Sequence, residues 1–253
     1  MITLILTTEG DVMKMHFCTG LAVWFFLLET AGLSKATSLI ITGVIDGPLA
    51  GGTPKAVELY VLNDISDLSS YGLGFANNGG GSDGIEFTFS GISASGGDFL
   101  YVASEGEAFK NFFGFTPGSI TSAVNINGDD AVELFRNGTV VDVFGNITED
   151  GTGQPWEYLD GWAYRNDATG GLDTSSFQLS EWHFSGSNAL DGQTANLTAS
   201  TPFPAGSFSP ALPPQPVPTP EPATLLLLGS GIACLAGRRV RPAGKQKISS
   251  HNF

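Results

Sequence analysis

Cysteine is almost absent from this chain of 253 residues: there are two, Cys18 and Cys234, and each lies in an apolar run near one end. Residues 37–209 contain none. A disulfide framework, a cysteine nucleophile and a cysteine-ligated metal are therefore excluded for that segment. The segment is long enough to bury a hydrophobic core, so its stability has to come from that core.

Basic residues are also scarce. The formal net charge is −14, and between residues 37 and 209 about twenty acidic residues face only Lys55, Lys110, Arg136 and Arg165. Such a surface repels phosphate backbones, so we expect no nucleic acid as a partner unless a divalent cation intervenes. Acidity of this kind also keeps an exported protein soluble, which is the simpler interpretation.

Histidine occurs once in residues 37–209, as His183. A catalytic triad needs its histidine oriented by a carboxylate and facing a nucleophile, and the sequence has no nucleophile-elbow pattern. A pair of carboxylates of the glycosidase type would arise by chance among so many acidic residues, so it carries no information. The sequence therefore predicts a protein that is not an enzyme, with no catalytic residue and no cofactor.

Acidic residues near glycine-rich turns are candidate calcium ligands, because the ion takes roughly six to eight oxygen ligands. They are Asp129, Asp130, Asp142, Glu149, Asp150 and Asp160. The Asp-x-Asp-x-Asp-Gly spacing of an EF-hand is absent, and hydrogen bonding within local turns explains most of these positions. We assign no metal ligand, and calcium near Asp129 and Asp130 stays an open alternative.

Large aromatic residues concentrate in the second half of the same segment. They are Trp156, Tyr158, Trp162 and Trp182. Rings of this kind can stack on sugars, but in a β-rich protein they more often fill the core or join its layers. We therefore expect these four residues in the core.

The first 36 residues are typical of a secretory signal peptide. Residues 1–12 read as a stretch upstream of the true start, which we place at Met13 or Met15. A basic residue, Lys14, is followed by an apolar core at residues 17–28 and then by small residues suited to a signal peptidase. Cleavage after Ala36 is the preferred prediction, with cleavage between Ala31 and Gly32 as the alternative, and the chain is expected to be exported.

The C-terminal part has three segments in a fixed order. The first is a segment made rigid by its prolines, which ends in Pro220, Glu221 and Pro222. The second is an uncharged run, rich in leucine and small residues, at residues 223–237. A basic stop follows, formed by Arg238, Arg239 and Arg241. The order resembles the PEP-CTERM signal of envelope proteins in Gram-negative bacteria, which an exosortase recognises at the inner membrane. The resemblance implies an exosortase-type processing enzyme as a partner and a transient inner-membrane stage.

A plain C-terminal membrane anchor is the alternative for this segment. A helix over residues 223–237 would be about 22 Å long, short of the roughly 30 Å hydrocarbon core of a bilayer. The arginines would lie on the cytoplasmic side by the positive-inside rule. We favour the sorting signal, because a plain anchor does not require Pro-Glu-Pro just outside the membrane.

Short apolar runs separated by turn residues predict an all-β fold for residues 37–209. Strands are predicted at residues 39–44, 56–62, 86–89 and 99–103, the first ending at Asp46-Gly47-Pro48. Within residues 56–62 the alternation places Val57, Leu59 and Val61 on one face.

One helix and one hairpin complete the local predictions. The helix begins at a capping box formed by Ser104 and Glu107, and its Phe109, Phe112 and Phe113 share a buried face. The hairpin joins residues 131–135 and 139–144 through Arg136-Asn137-Gly138, where Asn-Gly supplies the positive φ angles of a tight turn. Asp129 and Asp130 are expected to bond backbone amides at the hairpin entrance.

Several stretches of this segment resemble the lamin-tail domain, an immunoglobulin-like β-sandwich. They are residues 55–60 (KAVELY), 127–134 (NGDDAVEL), 140–145 (VVDVFG), 162–165 (WAYR), 185–192 (SGSNALDG) and 202–204 (PFP), together with Trp182. Bacterial members occur in exported proteins, sometimes beside a nuclease or phosphatase domain. The resemblance implies a lamin-tail-like β-sandwich with one short helix and a C-terminal extension, and it leaves no room for a catalytic domain.

The predicted organisation has five parts: a signal peptide at 1–36, the sandwich at 37–209, a proline-rich linker at 210–219, the sorting signal at 220–241 and a basic cytoplasmic tail at 242–253. We expect an exported, non-enzymatic interaction protein of the cell envelope or exopolysaccharide matrix, with exopolysaccharide or a surface protein as its partner. The alternative is an accessory module that serves a secreted nuclease or phosphatase in trans.

Overall fold

The structure, a computed structural model, describes residues 3–8, 11–16, 37–170 and 176–211. Strands β1 (Thr3–Thr8) and β2 (Asp11–His16) pair with each other as an antiparallel hairpin. Most of the predicted signal peptide and linker, and the whole sorting signal and tail, lie outside the described residues. The predicted boundaries of those parts stay predictions.

Two β-sheets and one α-helix make up residues 37–170 and 176–211 together with their connecting loops. The strands are β3 (Leu39–Leu49), β4 (Thr53–Val61), β5 (Tyr71–Ala76), β6 (Phe87–Thr88), β7 (Phe99–Ala103), β8 (Ser119–Ile120), β9 (Ala131–Arg136), β10 (Thr139–Phe144), β11 (Trp162–Arg165) and β12 (Trp182–Phe184). The helix is α1 (Gly106–Phe113). One sheet has the order β12-β11-β3-β4-β7-β8 and the other β10-β9-β5-β6, and among these pairs β7 and β8 alone are parallel.

The two sheets share one hydrophobic core. The six-stranded sheet contributes Leu39, Ile41, Val57, Leu59 and Val61, and the four-stranded sheet contributes Leu73, Phe75, Val132, Leu134 and Phe144. The predicted alternation in β4 is therefore confirmed, because its three apolar residues point into this core. The architecture is that of an all-β sandwich, as predicted, and its lamin-tail-like identity stays a prediction.

A second core covers the outer face of the six-stranded sheet. Helix α1 contributes Phe109 and Phe112, and the chain beyond β12 contributes Leu190, Phe203 and Phe208. Glycine at position 43 makes this contact possible, since a Cβ there would lie 2.4 Å from the Phe203 ring. The predicted C-terminal extension is thus an integral layer of the fold.

The hairpin prediction is confirmed, and two other local predictions are wrong. Asn137 and Gly138 have φ angles of 50° and 77° between β9 and β10. Strand β3 does not end at Asp46-Gly47-Pro48 but continues through a bulge to Leu49, because Asp46 pairs with Lys55 on β4. Helix α1 has Glu105 at its N-cap without a side-chain bond, so the capping box at Ser104 does not form.

The hydroxyl of Ser104 explains the missing cap. It donates to the carboxyl group of Glu105 and to the carbonyl oxygen of Lys55, which ties the helix entrance to β4. The predicted phenylalanine face is confirmed, with Phe109 and Phe112 buried and Phe113 partly buried against the same core.

Candidate functional site

A cavity of about 480 Å³ lies beside β10, the edge strand of the four-stranded sheet. Its lining residues come from β9, β10, the loop that follows and a later segment: Glu133, Val140, Val143, Gly145, Asn146, Ile147, Glu149, Trp156, Ser176 and Phe177. A volume of this size is typical of small-molecule sites.

Strand alternation places Glu133 beneath this cavity. Its neighbours Val132 and Leu134 point into the core between the sheets, so Glu133 points to the opposite face of β9. There it pairs with Val143 of β10. At the end of β10, Gly145 has a φ of +80°, and a Cβ at that position would meet both Ala131 and the Trp156 ring. Glycine therefore allows the loop to pack closely against Trp156.

Two residues that line this cavity each have a buried polar atom without a hydrogen-bond partner. Residues Glu133 and Trp156 are 2% and 4% exposed, and neither Glu133 Oε2 nor Trp156 Nε1 forms a hydrogen bond. Across the described ranges, the hydroxyl of Tyr71 is the one other buried side-chain atom of this kind, and Tyr71 does not line this cavity. Buried polar groups in native proteins are nearly always bonded, so two such atoms at one cavity need an explanation.

The other buried carboxyl groups are all bonded. Asp46 Oδ1 accepts from Lys55 Nζ at 2.9 Å. Glu58 accepts from Thr42 Oγ1, Tyr164 Oη and the Gly206 amide. Asp142 pairs with Arg165. These contacts hold strands, sheets and the C-terminal extension together, so Glu133 differs from the rest.

Asp130 lies immediately before the first residue of β9 and fixes the backbone there by hydrogen bonds. Its Oδ1 accepts from the Asn78 amide at 2.7 Å and its Oδ2 from the Asn127 amide at 3.1 Å, as predicted. Burial raises the pKa of Asp130, and the bond from Asn78 opposes that rise. Asp129 instead accepts from the hydroxyl of Thr152 at 2.9 Å. The backbone-amide prediction is confirmed for Asp130, whereas the bond found at Asp129 comes from a side chain.

The remaining calcium candidates serve separate contacts. Asp142 is buried in an ion pair. Asp150 accepts a hydrogen bond from the backbone amide of Thr152, which lowers the pKa of Asp150. Glu149 accepts from the side-chain amide of Asn146. Asp160 occupies a turn with a φ of 40°. In the described part of the chain, no three acidic, histidine or cysteine residues form a group able to hold a metal ion.

The histidine and the aromatic residues have structural surroundings. His183 is exposed on β12, and its ring centroid lies 5.6 Å from that of Trp162. Trp156, Tyr158, Trp162 and Trp182 are all buried, so the prediction that they belong to the core is confirmed. Trp156 is the one of these four that also lines the cavity.

The C-terminal residues resemble a known sorting signal. Residues 218–241 match the PEP-CTERM protein-sorting motif. The matched range contains the predicted sorting motif, Pro220, Glu221 and Pro222, and the predicted membrane stop, Arg238, Arg239 and Arg241. The PEP-CTERM motif implies an exported protein that is sorted by an exosortase-type enzyme and has a membrane-associated stage.

No curated protein and no solved structure gives a significant match to the chain. Among the residues that the structure describes, no helix has the length and apolar character needed to cross a membrane. The predicted membrane segment at 223–237 lies outside them.

Sequence reasoning missed the cavity beside Glu133. A glutamate between two core residues of an edge hairpin looks like an ordinary solvated position. The other lining residues are brought there by the tertiary fold: Asn146, Ile147 and Glu149 in a loop, and Trp156 and Phe177 farther along. The nearest local signal is the Gly145 turn, and it does not by itself indicate a cavity.

Proposed function

We propose that this protein is an exported, non-enzymatic interaction protein of the cell surface or extracellular matrix of a Gram-negative bacterium. The observation that carries the proposal is the PEP-CTERM match at residues 218–241, which follows a β-sandwich with a cavity of about 480 Å³. The sorting signal supplies the location, and the sandwich supplies the surface that makes contacts there.

The sorting signal acts through its three segments. The apolar run halts in the inner membrane, and Arg238, Arg239 and Arg241 stay at the cytoplasmic headgroups. Pro220 and Pro222 resist incorporation into the membrane helix, because proline lacks the backbone N–H that a helix interior needs. Pro-Glu-Pro is therefore held extended at the outer face, where a processing enzyme can reach it.

The non-enzymatic part of the proposal is supported by the contacts of the acidic residues. The carboxyl groups of Asp46, Asp130 and Asp142 form ion pairs or hydrogen bonds with other residues of the fold. His183 lies against Trp162 at the surface. The bacterial lamin-tail-like resemblance agrees with a binding module, and the acidic surface favours neutral partners over nucleic acid.

Fractionation of the native host tests this function. Antibody detection should find the protein in the outer-surface or matrix fraction, and mass spectrometry should find the mature chain without residues 242–253. Nuclease and phosphatase assays with added magnesium or calcium should give no activity above the background of a His183→Ala preparation. A protein confined to the cytoplasm, or activity lost in His183→Ala with the fold intact, would overturn the proposal.

A further inference from the structure

We propose that the cavity beside β10 is a binding site for a neutral saccharide unit. The inference rests on the proposed function as a matrix interaction protein, and it names the ligand class. Its basis is that two residues lining this one cavity, Glu133 and Trp156, each have a buried polar atom without a hydrogen bond, Oε2 and Nε1.

The carboxylate of Glu133 needs a hydrogen-bond donor, whereas the indole N–H of Trp156 needs an acceptor. A carboxylate oxygen accepts hydrogen bonds, whereas an indole N–H only donates. An ammonium group would satisfy Glu133 and leave Trp156 unpaired, and an anion would do the reverse. A hydroxyl group both donates and accepts, so a ligand with neighbouring hydroxyls can pair both groups. Each of the two atoms has less than 1 Å² of accessible surface, so this pairing requires the Glu133 and Trp156 side chains to turn toward the cavity.

The rest of the lining suits the carbon skeleton of a sugar. The rings of Trp156 and Phe177 lie at 64° with centroids 6.3 Å apart, and Val140 and Val143 add apolar surface on the strand side. Aromatic and aliphatic side chains with a few placed polar groups are the usual composition of a ligand pocket. At the rim, the exposed residues Asn146 and Glu149 offer further polar contacts.

Charge narrows the ligand class. The charged residues of the lining are Glu133 and Glu149, both acidic. A uronic acid or a sulfated sugar would be repelled there, since like charges in a partly desolvated site are unfavourable. A neutral hexose or a neutral disaccharide unit is therefore the expected occupant.

Binding is measured on the full chain, purified in a zwitterionic detergent that carries no sugar headgroup. Calorimetry with maltose, cellobiose and lactose should show binding of at least one disaccharide, and digalacturonate should bind at least about tenfold more weakly than that disaccharide. Glu133→Leu removes the acceptor without leaving a buried polar group, and Trp156→Phe removes the N–H while keeping a ring. Each should weaken binding about tenfold, the equivalent of one hydrogen bond.

Tyr71→Phe is the matched control, because it deletes the other unbonded buried atom outside this cavity. Its affinity should equal that of the wild type. The inference is wrong if none of the three disaccharides binds, if Glu133→Leu and Trp156→Phe bind as tightly as the wild type, or if methylammonium chloride binds in their place. If the binding experiments contradict this inference but the protein is still found in the matrix fraction, the proposed function stands. If the protein is absent from that fraction, the proposed function itself is refuted.

Discussion

Arg165 and Asp142 connect the two sheets of the sandwich. Arg165 Nη2 on β11 lies 2.8 Å from both Oδ1 and Oδ2 of Asp142 on β10. Arg165 Nε donates to the Ile41 carbonyl, and the Ile41 amide donates to Asp142 Oδ2, so β3 is included in the same network. The guanidinium also lies over the Trp182 ring at 4.6 Å. Both charged side chains are 1% exposed.

Removing one member of this pair is expected to be costly. Arg165→Met or Asp142→Leu should each lower the free energy of unfolding by about 3–5 kcal/mol, because each breaks the buried ion pair and leaves the other charge with fewer partners. The double variant should lose less than the sum of the two, since the second change removes a charge that has already lost this ion pair. Urea unfolding of the four proteins measures the coupling. Arg136→Met is the control, and simple additivity of the two single changes would contradict the prediction.

Glu58 should make stability depend on pH. Burial raises the pKa of Glu58 above its ordinary value of 4.5, with bonds from Gly206 and Thr42 acting in the opposite direction. The folded state therefore holds this proton at pH values where the unfolded chain has lost it, so the contribution of Glu58 to stability falls as pH rises through the window above 4.5. Denaturant unfolding at a series of pH values measures the slope.

Glu58→Gln isolates that contribution. The amide does not titrate, so the decline with rising pH should be shallower in Glu58→Gln than in the wild type. Its stability should be lower throughout, because one amide end cannot accept from the Gly206 N–H. Asp67→Asn is a useful comparison, since hydrogen bonds from Ser69 lower the pKa of Asp67. This substitution should leave the decline of stability that Glu58 causes above pH 4.5 unchanged. Equal slopes in wild type and Glu58→Gln would refute the assignment.

Two glycines with similar backbone angles provide a further test. Gly138 and Gly128 have φ angles of 77° and 89°. A Cβ on Gly138 would meet nothing within 4 Å, whereas one on Gly128 would lie 2.2 Å from the Leu159 Cα. Gly138→Ala should cost about 1 kcal/mol from backbone strain alone. Gly128→Ala should cost roughly 2–4 kcal/mol, because backbone overlap adds to that strain. Thermal unfolding that ranks Gly138→Ala as the worse variant would contradict this account.

The local parts of the fold were predictable because their signals are local. Asn137-Gly138 determines a turn by its own backbone preference, and β7 follows from a short apolar run. The local predictions were wrong where a residue distant in sequence determines the local structure. Lys55 extends β3 past its apparent end, and Ser104 bonds Glu105 and Lys55 instead of capping the helix. The cavity is the extreme case, since Glu133 and Phe177 meet only in the folded chain.

The sandwich should fold without a metal ion. Asp130 is held by two backbone amides and Asp142 by Arg165, so the acidic groups that a cation would stabilise already have partners. A fragment of residues 37–209 should give the same cooperative unfolding curve by circular dichroism with chelator and with millimolar calcium. Asp129→Asn should change neither curve. A disordered chain in chelator that folds on adding calcium would contradict the prediction and point to a site near Asp129.

The sorting signal offers the sharpest test of where the protein goes. Replacing Pro220, Glu221 and Pro222 by alanine lets the membrane helix extend outward, because alanine supplies the N–H that proline lacks and favours helix. The processing enzyme then loses its extended target, and a longer, membrane-retained form should accumulate in the native host. Alanine at Pro213, Pro214 and Pro216 is the matched control, since these prolines precede the matched residues 218–241.

Mass spectrometry and membrane fractionation distinguish the outcomes of that experiment. The control should be processed like the wild type, and deletion of residues 223–253 should release a soluble domain to the periplasm or medium, because the membrane stop is gone. Discovery of the intact tail from Arg238 onward on surface-located wild-type protein would show that the segment is a plain anchor. Normal processing of the triple alanine variant would show instead that recognition depends on the apolar run and its arginines, because Pro-Glu-Pro would then be dispensable.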